Sequence, residues 1–223
     1  LDTTANTAYP ITNKAYYKLN GNANDSSGNG YNGTFTTPAY AAGRFGQAAV
    51  FNGTSSYITT SNPLGTGNVA YSISAWIYLN ASSHTGGIYA IWNGGAIAGT
   101  YLFFKVEAGK ISIGNYGTSV TSVNTLAVNQ WVHVAVTRDT SNNVELYVNG
   151  QPDTSGTLTL SLGNYNSIIG ALSSTVQNFN GKIDQVRIFN SAISAGNMTS
   201  LYNEGIVVES TDGTDSILQF IGG

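Results

Sequence analysis

From residue 15 to residue 189 the chain repeats one pattern: a short run rich in Val, Ile, Tyr, Phe, Trp and Thr, then a turn signal, then another run. The runs at 15–19, 48–51, 57–59, 71–79, 88–92, 101–106, 110–113, 131–138, 143–148, 166–169 and 181–189 read as strands. Between them stand Asn-Gly at 32, 52, 149 and 180 and Gly-Asn at 21, 28, 67, 114 and 163, residues that accept the positive φ of tight hairpin turns. Strands so spaced and so joined pair as antiparallel hairpins, which predicts an all-β sandwich or barrel.

Side-chain alternation assigns the faces. In SISAWIYL, Ile73, Ala75, Ile77 and Leu79 share one face, and Ser72, Ser74, Trp76 and Tyr78 the other. In WVHVAVTR, Val132, Val134 and Val136 oppose Trp131, His133, Ala135 and Thr137; in VELYVNG, Val144, Leu146 and Val148 oppose Glu145 and Tyr147. The aliphatic faces are expected to pack sheet on sheet about 10 Å apart, leaving an aromatic and wetter outer surface. One short peripheral helix is expected after Ser194 as N-cap, with Met198, Leu201 and Tyr202 at helical spacing and an end at Gly205.

Only 9% of residues are charged, against roughly 25% in an average domain, so hydroxyls and amides carry solubility. The formal net charge is −3 and the eight Lys and Arg are scattered, so no basic stripe exists to neutralise phosphates and nucleic acid is not an expected partner. No apolar run is long enough to cross a membrane, and Leu1 opens neither a basic nor an apolar leader region, which fits a mature or excised piece. The chain has no Cys, so disulfides and thiolate metal sites are out. Residues 1–12 and 209–223 have linker character, the latter reading as a linker or the start of a next module, with one domain at 13–208 between them.

Four stretches in order carry a resemblance: YYKLNGNANDSSGNGYNGT from Tyr16; GRFGQAAVFNGTSSYI from Gly43; SISAWIYL with NQWVHVAVTRD and VELYVNGQ; and GKIDQVRIFNSAISAGNMTSLYN from Gly181. Together they resemble the laminin-G-like (concanavalin A-like lectin/glucanase) jelly-roll family over nearly all of residues 15–205. The resemblance implies a jelly-roll sandwich of two curved antiparallel sheets, with recognition at a loop rim or on the concave face. It also implies a setting at the cell exterior: adhesion domains, carbohydrate-binding appendages of secreted enzymes, and cell-surface or virion proteins.

The resemblance further implies a structural calcium site. Asp184 in GKIDQVRIF, Gly53 in FNGTSSYI and Asn20 in YYKLNGN match the family's positions, with Asn22 beside them; Asn20 is uncharged where many relatives are acidic. The alternative for Asp184 is an acceptor for turn amides, paired with Arg187. For glycan binding the candidates are Tyr89, Trp92, Tyr101, Tyr116 and Tyr165, aromatic residues beside Asn/Gly/Ser loops, because sugar C–H faces stack on rings while amides take the hydroxyls. The alternative for each ring is strand packing, and Trp76 and Trp131 are assigned to it.

Catalysis finds no anchor. Glycosidases on such scaffolds need two carboxylates on one strand face, and the eleven acidic residues are dispersed; neither His84 nor His133 sits in a nucleophile or zinc motif. The expectation is a non-enzymatic recognition module, carbohydrate-binding, inside a larger extracellular, cell-surface or phage virion protein, with glycan or surface polysaccharide and neighbouring modules as partners and no membrane insertion. The competing expectation is a structural domain decorating a virion, fibre or surface array without a small ligand.

Overall fold

The computed structural model describes residues 12–92, 99–115, 117–174 and 176–204, with the backbone of 207–209 and 218–220. Along the chain come β1 (Ala15–Tyr17), β2 (Thr34–Thr36), β3 (Tyr40–Ala42), β4 (Gln47–Asn52), β5 (Tyr57–Thr60) and β6 (Tyr71–Leu79). Then follow β7 (Gly86–Ile91), β8 (Leu102–Glu107), β9 (Lys110–Gly114), β10 (Ser119–Thr121), β11 (Trp131–Arg138) and β12 (Asn143–Val148). The last are β13 (Gln151–Thr157), β14 (Ser167–Ile169), β15 (Asn180–Phe189), α1 (Ala195–Tyr202), β16 (Val207–Glu209) and β17 (Leu218–Phe220).

Two antiparallel sheets make the sandwich. The first runs β13-β12-β11-β6-β15-β4-β3, and the second β10-β9-β8-β7-β14-β5-β2; β16 and β17 pair only with each other. β15 is long enough to hold β4 along residues 180–183 and β1 along 186–188 of one edge. Between those halves its ladder with β6 slips at a bulge, where Gln185 takes φ +51°; such an extra residue re-aims the side chains beyond it.

The inward faces are those the alternation assigns. Ile73, Ala75, Ile77 and Leu79 are fully buried, and with Val132, Val134, Val136, Val144 and Leu146 they meet Ile58, Ile91, Leu102, Phe104, Val106, Ile111 and Ile113 of the second sheet in one core. Burying each such side chain contributes about 1.5–3 kcal/mol, which drives the two sheets together. Helix α1 starts where expected, with the Ser194 side chain accepting the Asn197 N–H; Gly205 lies outside the described residues.

The expected wet outer surface of the first sheet is corrected. Trp76, His133, Ala135 and Tyr147 are buried, because α1 and Ile193 fold over that face and Met198 and Leu201 close a second apolar cluster with Ala135, Tyr147 and Phe189. His133 packs edge-on against Trp76, 5.4 Å between centroids, and burial pushes its pKa down to about 3, so it stands neutral. Beside it the Arg187 guanidinium lies 2.7 Å from Glu204 just past the helix and donates to the Tyr16 hydroxyl at 3.2 Å, which in turn donates to Gln185. The expected Asp184–Arg187 pair does not form; Arg187 takes Glu204 instead. No described helix is long and apolar enough to cross a membrane.

Candidate functional site

On the outer face of the second sheet, one strand sets the pattern. β8 alternates: Leu102, Phe104 and Val106 enter the core, while Phe103 and Lys105, with Tyr101 just ahead of the strand, face away from it. Its antiparallel neighbour β7 sets Ile91 opposite Leu102 and Ala90 opposite Phe103, so the next pair outward is Trp92 and Tyr101. Their ring centroids lie 6.1 Å apart with planes inclined by 35°, within the range at which aromatic pairs attract. Across from Phe103 stands Gly114, where a Cβ would come within 2.8 Å of the Phe103 Cζ; a residue without a side chain lets the ring lie across β9.

A loop supplies the opposite wall, and two glycines admit it. A Cβ on Gly87 would lie 2.3 Å from the Ala171 carbonyl carbon, and one on Gly86 2.8 Å from the Phe179 Cα, distances no real side chain tolerates. The bare backbone therefore lets Ala171, Leu172 and residues 176–178 settle against β7, where the Gly87 N–H donates to the Gln177 carbonyl at 2.8 Å. This brings Leu172, Val176 and Gln177 up to the rings and encloses a cavity of about 290 Å³. Gly87→Ala is expected to lower unfolding free energy by about 1–3 kcal/mol, as overpacking does, and to open this wall; chemical denaturation with unchanged stability would contradict it.

The cavity is a place for stacking with few charges. Trp92 is partly exposed, Tyr101 nearly covered, and among the described residues Lys105 is the single ionisable side chain in the lining other than Tyr101. The Lys105 ammonium sits 4.8 Å from the Phe103 centroid and 3.1 Å from Glu107 on the rim. Asn115 also lines the cavity, yet its amide is spent on structure: Nδ2 donates to the Thr159 carbonyl at 3.1 Å, and Oδ1 accepts the Gly117 and Thr118 amides.

Of the aromatic candidates, the structure brings Trp92 and Tyr101 together in this groove. Tyr89 points the other way: it is fully buried in the core with its hydroxyl 2.7 Å from Ser167 Oγ, so it offers no face to a ligand. Tyr165 packs on the core edge, its hydroxyl 3.4 Å from Thr100 Oγ1 and outside the lining. Tyr116 lies outside the described residues. The sequence reading missed Phe103, Lys105 and the wall of Leu172, Val176 and Gln177; the alternation through YLFFKVE carries the signal for the first two.

The residues proposed for calcium do not converge on one ion. Asp184 is fully buried and its Oδ2 accepts the Arg44 and Phe45 amides at 2.9 and 3.0 Å. Asn20 Oδ1 accepts the Gln47 amide at 2.6 Å from the other side of the same loop, and Asn22 Oδ1 accepts the Asn24 amide at 2.9 Å. Gly53 lies beyond the far end of the β4–β15 ladder, past the Asn52–Asn180 pair, about five strand residues or roughly 16 Å from Asp184. Calcium ligands sit about 2.3–2.6 Å from their ion, so these four do not share one. Among the described residues no cluster of three or more His, Cys, Asp or Glu is placed to hold a metal. What Asp184 and Asn20 do together is clasp the 43–47 loop.

Comparison with known proteins places this geometry. The chain is similar to domain 4 of AbnA, a GH43 extracellular arabinanase from Geobacillus stearothermophilus solved in complex with arabinotriose: 26% identity, TM-score 0.72, covering 86% of this chain and 98% of that domain. It shares the fold of the binding domain of Paraclostridial Mosquitocidal Protein 1 (18% identity, TM-score 0.64, 81% of this chain) and of the botulinum neurotoxin serotype G binding domain (16%, 0.62, 85%). The chain spans about half the length of those two toxin domains, 49% and 50%. A search of curated protein sequences finds no match. A family model matches residues 52–217, from the turn after β4 through the helix, and the jelly roll described above is the fold that family has. By sequence and by architecture, then, the chain belongs to the laminin G branch of the concanavalin A-like lectin/glucanases superfamily.

Proposed function

We propose that the chain is a non-catalytic carbohydrate-recognition module of a larger secreted or surface protein, and that it holds a short stretch of glycan in the groove between Trp92, Tyr101 and Phe103 and the wall of Leu172, Val176 and Gln177. The observation that carries this reading is the Trp92–Tyr101 pair, with centroids 6.1 Å apart at the mouth of a cavity built on the sheet's outer face. The partly exposed rings of Trp92 and Phe103, with Tyr101 packed behind Trp92, offer apolar surface to sugar C–H faces, and the exposed Gln177 amide stands ready for hydroxyls. Likeness to an arabinanase domain solved with arabinotriose supports a glycan as the class of ligand.

The chemistry of the lining favours binding over cleavage. Glycoside hydrolysis uses two carboxylates about 5–5.5 Å or about 6.5–9.5 Å apart, and among the described residues the cavity lining carries none. A single shallow groove binds weakly, and repetition of modules in a parent protein multiplies the affinity.

Calorimetric titration with arabinotriose and a panel of neutral and acidic oligosaccharides tests the reading. Trp92→Ala is expected to weaken binding by about 10–100-fold, the loss of about 1.5–3 kcal/mol of ring burial, with little change in the unfolding midpoint because the ring is partly exposed. Equal affinity in wild type and variant contradicts it. No binding across the panel returns the chain to a purely structural role.

A further inference from the structure

Among the described residues the groove lining holds one charged side chain, and it is positive. Lys105 lies in the floor, its side chain only 9% exposed, whereas its partner Glu107 is 49% exposed and outside the lining. The two stand at alternate positions of β8 and so project from the same face. Lys105 is held between Gly87 on β7 and Ser112 on β9, its cross-strand partners, and Gly87 has no side chain to cover it. The ammonium therefore stays in place among the rings while the carboxylate that balances it reaches in from water.

We propose that the groove selects sugars bearing a carboxylate, with Lys105 receiving the acid group and Glu107 giving way to it. The inference rests on the glycan-binding reading above and names the class of glycan. The Glu107 end of the pair is exposed, so its carboxylate is exchanged for another at low cost, since water takes up its charge and the side chain regains its freedom. A ligand carboxylate already held by ring stacking meets Lys105 in a drier setting, where a charge-assisted hydrogen bond is stronger. A neutral sugar gains less from Lys105, because its hydroxyls accept an ordinary hydrogen bond and bring no charge to balance the ammonium.

Trigalacturonate and its fully methyl-esterified form isolate the charge, because they differ in nothing else that bears on stacking. In calorimetric titration at pH 7 and low salt, the wild type is expected to bind the acid about tenfold tighter than the ester, in line with a charge-assisted bond. Lys105→Gln is expected to bring that ratio to about one. Glu107→Gln is expected to raise it about two- to fivefold, because the competing carboxylate is gone. A role for Lys105 in stability alone does not predict opposite effects from the two variants, and Glu107, being exposed, is replaced without a folding penalty. An ester bound as well as the acid, or arabinotriose bound while both galacturonides fail, overturns this inference and leaves the glycan groove standing. If arabinotriose and both galacturonides all fail to bind, the glycan reading falls together with it.

Discussion

Asp184→Ala is expected to destabilise the domain by about 2–4 kcal/mol, from the buried Phe45 amide losing its acceptor at about 1–3 kcal/mol and the half-buried Arg44 amide losing its own at about 1 kcal/mol. Arg44 and Phe45 donate those amides to one carboxylate oxygen, and a Cβ on Gly43 would come within 2.7 Å of it, so the loop closes tightly over the carboxylate. Loss of Asp184 frees the 43–47 loop from the last long strand, and urea unfolding followed by tryptophan fluorescence reads the effect. A variant within about 0.5 kcal/mol of wild type, the usual range for surface substitutions, contradicts this role.

The same carboxyl makes a pH signature. Burial raises its pKa to about 7 although both amides favour the ionised form. A carboxyl whose folded pKa exceeds its unfolded value, about 3.9, keeps its proton longer in the native state. Its contribution to stability is thus whole below about pH 4 and is lost as pH rises through about 7. His133 pulls in the opposite direction, because its folded pKa is lowered and its contribution is lost on acidification below about pH 6.5. The informative quantity is the difference between wild type and Asp184→Asn, in which His133 and Glu204 cancel. That difference is expected to fall between pH 4 and 7 with a slope of at most about 1.4 kcal/mol per pH unit; a flat difference contradicts the assignment.

Glu204→Ala carries the second large effect, about 3–5 kcal/mol, because removing one member of a buried ion pair strands the other. Arg187 and Glu204 have side chains only 2% and 5% exposed, and their contact ties the end of α1 to the first sheet. The double replacement Arg187→Met with Glu204→Leu is expected to recover most of the loss, since apolar packing substitutes for a buried pair at little net cost. If each single variant is mild and the double variant is no better than their sum, the helix is held by Met198 and Leu201 alone.

What the sequence made legible follows from what each strand must satisfy. β6, β11 and β15 lie between neighbours on both sides and are buried along almost their whole length, so they are long and rich in apolar and aromatic residues and their bounds could be read closely. Of the six strands left unread, β2, β3, β10 and β13 end the strand order of the two sheets, and β16 and β17 pair only with each other. An edge strand pairs on one side only and tolerates polar and Pro-containing sequence, as QPDTSGT with Pro152 shows. Tyr89 was misassigned to the ligand face because Ile88 and Ile91 are out of phase with each other; the ladder slip between Gly87 and Tyr89 absorbs the conflict and turns the ring inward. Trp92 and Tyr101 were legible as aromatics beside loops, whereas the wall facing them was not, since it depends on Gly87 meeting Ala171 across the fold. The position of Asp184 matched the family pattern, yet its partners lie about 140 residues away in the chain and only the fold brings them together.

Mapping the bound sugar onto the backbone tests the central claim most directly. In an amide-resolved NMR titration of the intact chain with arabinotriose and with trigalacturonate, the account predicts that the largest shifts fall at residues 90–92, 101–105 and 172–177, around one groove. Shifts concentrated on the 20–25 and 43–53 loops, or on the face that α1 covers, would show that recognition happens elsewhere on the sandwich and would contradict it.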